Sequence, residues 1–192
     1  MRTGTDSTSY GDTHLSIRPL CTDDLDMDLE AKDNEQINWL WEPGQRELWE
    51  AMNSQAQRQH AFRVLELAAQ SFGAGPKWCF AVDTEIDRYV AYVDCDLANR
   101  NAPAGQANIA YSVHPAHRGR GYASGGVRLA VEFLREQTLA TKAHILVDAE
   151  NVTSLRVARS VGAHEVERFI NEYGHRMIRH IIPITRLKSR TA

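Results

Sequence analysis

The chain has 192 residues, 43% of them hydrophobic and 24% charged, with a formal net charge of -3. That is the balance of one globular domain with room for a core. It lacks the basic excess of a nucleic-acid binder, and no apolar run approaches the roughly 20 residues needed to cross a bilayer. Cys21, Cys79 and Cys95 are odd in number and have no C-x-x-C spacing, so they read as reduced thiols, with neither a disulfide frame nor a metal site. The polar start of the chain lacks the pattern of a secretory signal, which gives a cytoplasmic expectation.

Residues 1–13 are rich in Ser, Thr, Gly and Asp and read as a flexible tail, as do residues 188–192, leaving 14–187 as one domain. Alternation over 15–20 predicts a strand. Thr22 or Asp23 can cap a helix that begins near Asp24. Residues 34–71 have a helical pattern with one interruption, at Pro43-Gly44. Trp39, Leu40, Trp41, Leu48, Trp49, Met52, Phe62, Leu65 and Leu67 are its apolar positions, and core burial accounts for Trp39 and Trp49. Strands follow at 78–82 and 89–94, joined by a polar hairpin connection. After a loop at 99–106 comes a strand at 107–113, then a Gly-rich turn and a helix over 122–137. A strand at 144–148 leads to Asn151, which can cap a helix ending near Val161 and Gly162. Strands at 166–171 and 176–184 close the chain. The order describes a mixed α/β fold around one central sheet.

The most informative stretch is Val113-His114-Pro115-Ala116-His117-Arg118-Gly119-Arg120-Gly121-Tyr122-Ala123-Ser124. A strand hands over to a helix here, with glycines that let the backbone approach a ligand. Unpaired amides of the first helical turn suit a pyrophosphate. A P-loop would need a lysine after Gly121, and a dinucleotide fingerprint would need a third glycine where Ser124 stands.

Arg118, Gly121 and Ala123 match the Gln/Arg-x-x-Gly-x-Gly/Ala motif of the GNAT (Gcn5-related N-acetyltransferase) superfamily, which the chain resembles. Asn151, Ser154 and Gly162-Ala163 match its second signature, and residues 15–20 with Asp23 and Asp24 look like its opening. Residues 157–163 are similar to the branch that holds acetyltransferases of ribosomal-protein N-termini. The resemblance implies a mostly antiparallel sheet of about six to seven strands, flanked by helices and splayed at an acetyl-CoA cleft. It implies acetyl transfer from acetyl-CoA to a primary amine of a small molecule or a protein N-terminus, by direct attack in a ternary complex. It places Arg118, Gly119, Arg120, Gly121, Tyr122, Ala123 and Ser124 at the diphosphate. Ser112, Val113, His114 and Asn151 would lie along the pantetheine arm, although Asn151 has the cap as its alternative role.

The proton-transfer groups do not follow from the resemblance. The positions where relatives carry Tyr or Glu are Ala158, Leu146 and Gly125. Candidates from the residues themselves are Asp94 at a strand end, beside Asp96, with Tyr111, His114 and Ser154. Each has a structural alternative: a solvated strand edge, a packed phenol, an exposed imidazole and a small helix-packing residue. Glu30, Asp33, Glu35 and the tryptophans of 34–50 are candidates for an amine pocket. A different acyl donor such as succinyl-CoA stays open, as does a binding module that senses acyl-CoA without turnover. The final strands offer a candidate homodimer surface.

Overall fold

The computed structural model describes residues 7–10 and 13–185, with side chains from residue 14. In chain order they form β1 (Ser7–Tyr10), β2 (Thr13–Pro19), α1 (Leu25–Ala31), α2 (Asn34–Leu40), α3 (Gln45–Ala51) and α4 (Ser54–Ser71). Then come β3 (Lys77–Thr84), β4 (Ala91–Asp96), β5 (Ala107–Val113), α5 (Tyr122–Gln137), β6 (Lys142–Asp148), α6 (Val152–Ser160), β7 (His164–Ile170) and β8 (Arg176–Pro183). Among the described residues, eight strands make one sheet in the order β1-β2-β3-β4-β5-β6-β8-β7. Every pairing is antiparallel except β5 with β6.

Three expectations change, and a fourth is not reached. Residues 7–10 are strand where a tail was expected, pairing Ser7 with Ser16 and Tyr10 with Thr13, and this brings the sheet to eight strands. Residues 188–192 lie outside the described residues. The helical stretch is broken twice, since Asn53 starts α4 afresh by accepting from the Ala56 amide at 2.9 Å. Trp39 is 41% exposed where core burial was expected, and its neighbour Leu40 is 40% exposed. They stand on α2 over the cleft described below.

Helix α5 supplies the core of one sheet face. Its Val127, Leu129, Ala130 and Leu134 are buried against Val82, Val93, Ile109 and Ile145. The helix lies so close that a Cβ on Gly125 would run into Leu15, so this position serves packing and has no room for a carboxylate. On the opposite face Ala61 and Leu65 of α4 pack with Leu20, Ala31, Ala81 and Tyr89. Strand β7 forms an outer edge of the sheet with Val166 and Ile170 exposed, which is where a homodimer surface is expected. No helix among the described residues is long and apolar enough to cross a membrane.

Arg18 ties the start of α1 to the sheet. Its Nη2 and Nη1 donate to Asp24 at 2.6 and 2.8 Å, and its Nε donates to Asp83 at 2.7 Å. Burial alone would raise the Asp24 carboxyl, but hydrogen bonds from Arg18 and the Cys21 amide outweigh it and hold it below its ordinary value. A carboxyl with a depressed folded pKa contributes stability that is complete above the unfolded value of about 3.9 and is lost as pH falls through the folded one. Asp24 is 2% exposed. Asp24→Asn should therefore cost about 3 kcal/mol at pH 7, the low end for a broken buried pair because Asp83 still faces the guanidinium. The difference from wild type in urea unfolding should shrink at pH 3 and below.

Candidate active site

The site begins where the sheet parts. Strands β5 and β6 pair only at Ala107 with Ala143 and Asn108 with His144. Beyond these the two strands diverge while each stays paired on its far side, β5 with β4 and β6 with β8. The gap opens into a cleft of about 1090 Å³. Residues 109–113 form one wall and residues 145–148 the other, with α2 above and the start of α5 at one end. The His114 amide donates to Val90 O at 3.1 Å, toward β4. Strand alternation then sends the amide of Ser112 toward β4 as well, and those of Tyr111 and Val113 into the gap.

At the α5 end, Gly119 and Gly121 have φ of +78° and +81°, which a side chain would strain. Gly121 caps α5 with no side-chain hydrogen bond, so the amides of Tyr122, Ala123 and Ser124 are left for a ligand. A Cβ on Gly119 would meet nothing within 4 Å, so the loop surface is open. Left-handed glycines, free amides and a parted sheet fit a diphosphate followed by an extended arm. Gly119, Gly121, Tyr122, Ala123 and Ser124 all line the cleft.

The two arginines part company. Arg118 lines the cleft, yet its guanidinium grips Asp33 through two bonds of 2.7 and 2.8 Å and Glu35 through one of 2.7 Å. The bond from Arg118 holds the Asp33 carboxyl below its ordinary value. Arg118 thus fastens α2 over the loop, and Asp33 and Glu35, expected at an amine pocket, are engaged by it. Arg120 is exposed and is not part of the lining.

The proton-transfer candidates separate in the same way. Tyr111 and Ser154 line the cleft, and the Tyr111 hydroxyl donates to Ser154 O at 3.3 Å. Burial pushes the phenol up to about 12, with the Ser154 contact working weakly against it. A phenol so placed is a proton donor at neutral pH and a poor base. His114 and Asp94 do not line the cleft. His114 is 6% exposed and accepts from the Ala116 amide through Nδ1, capping the short 3-10 turn at Pro115–His117. Burial, then the nearby His117, lowers its pKa. Asp94 is buried, bound by Lys77 at 3.0 Å and the Tyr92 hydroxyl at 2.8 Å. Asn151 takes the capping role, its Oδ1 accepting from the Ser154 amide at 2.9 Å, while still lining the cleft.

Other groups came to light only in the fold. Gln36 on α2 donates to Ser112 Oγ at 3.2 Å, and its Oε1 is buried without a partner among the described residues. Asn108 Oδ1 is likewise unpaired, and both residues line the cleft. Arg100 bridges Glu42 at 2.9 Å and Glu172 at 2.8 Å, joining the α2–α3 connection to the β7–β8 turn at the cleft mouth. His175 and Asp148 also meet in the cleft. None of these pairings has a sequence signal, because the partners lie 27 to 76 residues apart. Among the described residues no group of three or more His, Cys, Asp or Glu could hold a metal ion.

A family model for the acetyltransferase (GNAT) domain matches residues 14–164. The chain belongs to the GNAT acetyltransferase family. That family draws its acyl group from acetyl-CoA. Among solved structures, Mycobacterium smegmatis RimJ in complex with CoA-disulfide superposes with a TM-score of 0.73 at 15% identity, covering 93% of this chain and 86% of that one. RimL, an alpha-N-protein acetyltransferase in complex with coenzyme A, has a TM-score of 0.73 at 13% identity, covering 93% and 98%. Spermidine N-acetyltransferase from Vibrio cholerae, in complex with CoA and spermine, has 0.65 at 18%, covering 88% and 95%. At these identities the likeness is one of fold. No curated protein sequence matches the chain.

Proposed function

We propose that this GNAT acetyltransferase transfers an acetyl group from acetyl-CoA directly to a primary amine in a ternary complex, the amine belonging to a small molecule or a protein N-terminus. The observation that carries the reading is the parting of β5 from β6 beside the uncapped start of α5. The solved relatives described as CoA complexes support it.

Bound there, acetyl-CoA supplies a thioester carbonyl activated for attack. The chain's own residues do the rest. Amides from Gly119 to Ser124 hold the diphosphate. The amides of Tyr111 and Val113 face the gap, where one can polarise the carbonyl oxygen as an oxyanion-type donor. Tyr111 keeps its hydroxyl proton near neutral pH and donates it at Oη as charge collects on the departing sulfur. Gln36 Oε1 and Asn108 Oδ1 need donors, which an amine provides. Exposed Trp39 and Leu40, with Trp41, give the acceptor an apolar surface to rest on.

The test combines purified protein, acetyl-CoA and a panel of primary amines and N-terminal peptides. Free thiol and acetylated product should appear together in equal amounts. Tight CoA binding with no product on any amine would instead favour a sensor of acyl-CoA.

A further inference from the structure

We propose that His175, oriented by Asp148, is the general base that takes the proton from the acceptor amine; this rests on the acetyltransferase reading above. The three positions at which relatives carry a titrating Tyr or Glu are empty here, and His114 and Asp94 lie outside the cleft. His175 lines it. Its Nδ1 lies 3.0 Å from Asp148 Oδ2. An ionised carboxylate only accepts, so Nδ1 carries the hydrogen and the neutral ring turns a free lone pair on Nε2 outward.

Both partners are fixed. Asp148 ends β6, the wall of the gap opposite Tyr111 and Val113, and its side chain is only 14% exposed. Its other oxygen accepts from the Glu150 amide at 2.8 Å. The backbone of His175 is held by the turn that precedes β8, its amide donating to Asn171 Oδ1 at 2.9 Å and its carbonyl accepting from the Asn171 amide at 3.0 Å. The imidazole side chain itself is 54% exposed and within reach of a substrate and of solvent. A carboxylate that sets the tautomer of an accessible imidazole is the arrangement general-base catalysis needs. The charged neighbours are otherwise engaged. Glu150 and Arg176 pair with each other at 3.0 Å, and Glu172 is bound by Arg100 at 2.8 Å. Arg156 of α6 lines the same cleft.

The proton balance is complete. The ammonium form of the acceptor gives one proton to Nε2, and the ring returns it to solvent. The nitrogen lone pair forms the bond to the carbonyl carbon as the carbon–sulfur bond breaks, its electron pair going to sulfur. Tyr111 gives its hydroxyl proton to sulfur, and the second proton leaving nitrogen restores the phenol.

His175→Gln should lower kcat/KM about 100-fold at pH 7. The deficit should narrow toward pH 10, where a primary amine of pKa about 10.4 sheds its own proton. Wild-type kcat should fall on the acid side as the imidazole takes a proton and level off above that; the variant should show no such plateau, its kcat rising with pH toward the amine's own pKa. Asp148→Asn should lose less and keep that fall. CoA affinity by calorimetry should be unchanged in both. If wild type acetylates an amine and His175→Gln stays within two-fold of it from pH 6 to 9, the base assignment is overturned while the acetyltransferase reading stands. If wild type acetylates nothing, both are overturned.

Discussion

Gly121→Asp should weaken CoA binding by at least 100-fold while leaving a folded protein. Gly121 sits at φ +81° and caps α5. Forcing a side chain into this left-handed backbone costs about 1–2 kcal/mol. Aspartate is among the residues that tolerate the region best, and as an N-cap it recovers about 1 kcal/mol by accepting from the first free amides. The same compensation removes ligand binding. The carboxylate takes the amides that the diphosphate needs and sets a negative charge against it. Gly121→Ala strains the backbone without adding charge and should lose less. Isothermal titration with CoA and a thermal melt together decide the matter: a stable variant with wild-type affinity means the diphosphate is held elsewhere.

Tyr111→Phe should reduce kcat by about 100-fold or more, the usual worth of a positioned acid, with CoA affinity unchanged. The helix position from which relatives supply a tyrosine is Ala158, fully buried in this chain. Tyr111 reaches the same helix from β5, its hydroxyl 3.3 Å from Ser154 O. With the phenol pushed up to about 12, it stays protonated across the range in which the enzyme can be assayed. No fall in kcat from its ionisation should appear below about pH 11. Loss of the buried hydrogen bond should cost about 1 kcal/mol of stability. Ser154→Ala, which leaves Tyr111 and the Ser154 carbonyl in place, should stay near wild type. Full activity of Tyr111→Phe would remove the phenol from the mechanism.

Much of the fold was legible because its signals are local. The strand at 107–113 and the helix at 122–137 have their expected bounds, since alternation gives way to a 3.6-residue period across the Gly-rich turn. Asn151 announces its cap by residue type and position. Residues 7–10 were missed because a polar edge strand carries no apolar alternation, and its pairing with β2 is decided by the neighbour. The break before α4 was missed because Asn53 is no glycine or proline, and its capping role depends on which way the chain enters.

The proton-transfer groups divide along the same line. Asp94, Tyr111 and His114 are all chemically eligible, and strand alternation with helix cover decides which of them faces the cleft. Two of them point into buried ion-pair and capping networks, and Tyr111 lines the cleft. The sequence by itself determined the Gly-rich turn and the start of α5, because glycine conformation and helix capping depend on neighbours a few residues away. Only the tertiary structure decided that Arg118 is bound by Asp33, that Gln36 meets Ser112, and that Asp148 orients His175. Those are contacts between distant segments, set by how the helices and the β7–β8 turn close over the parted strands, and no local pattern encodes them.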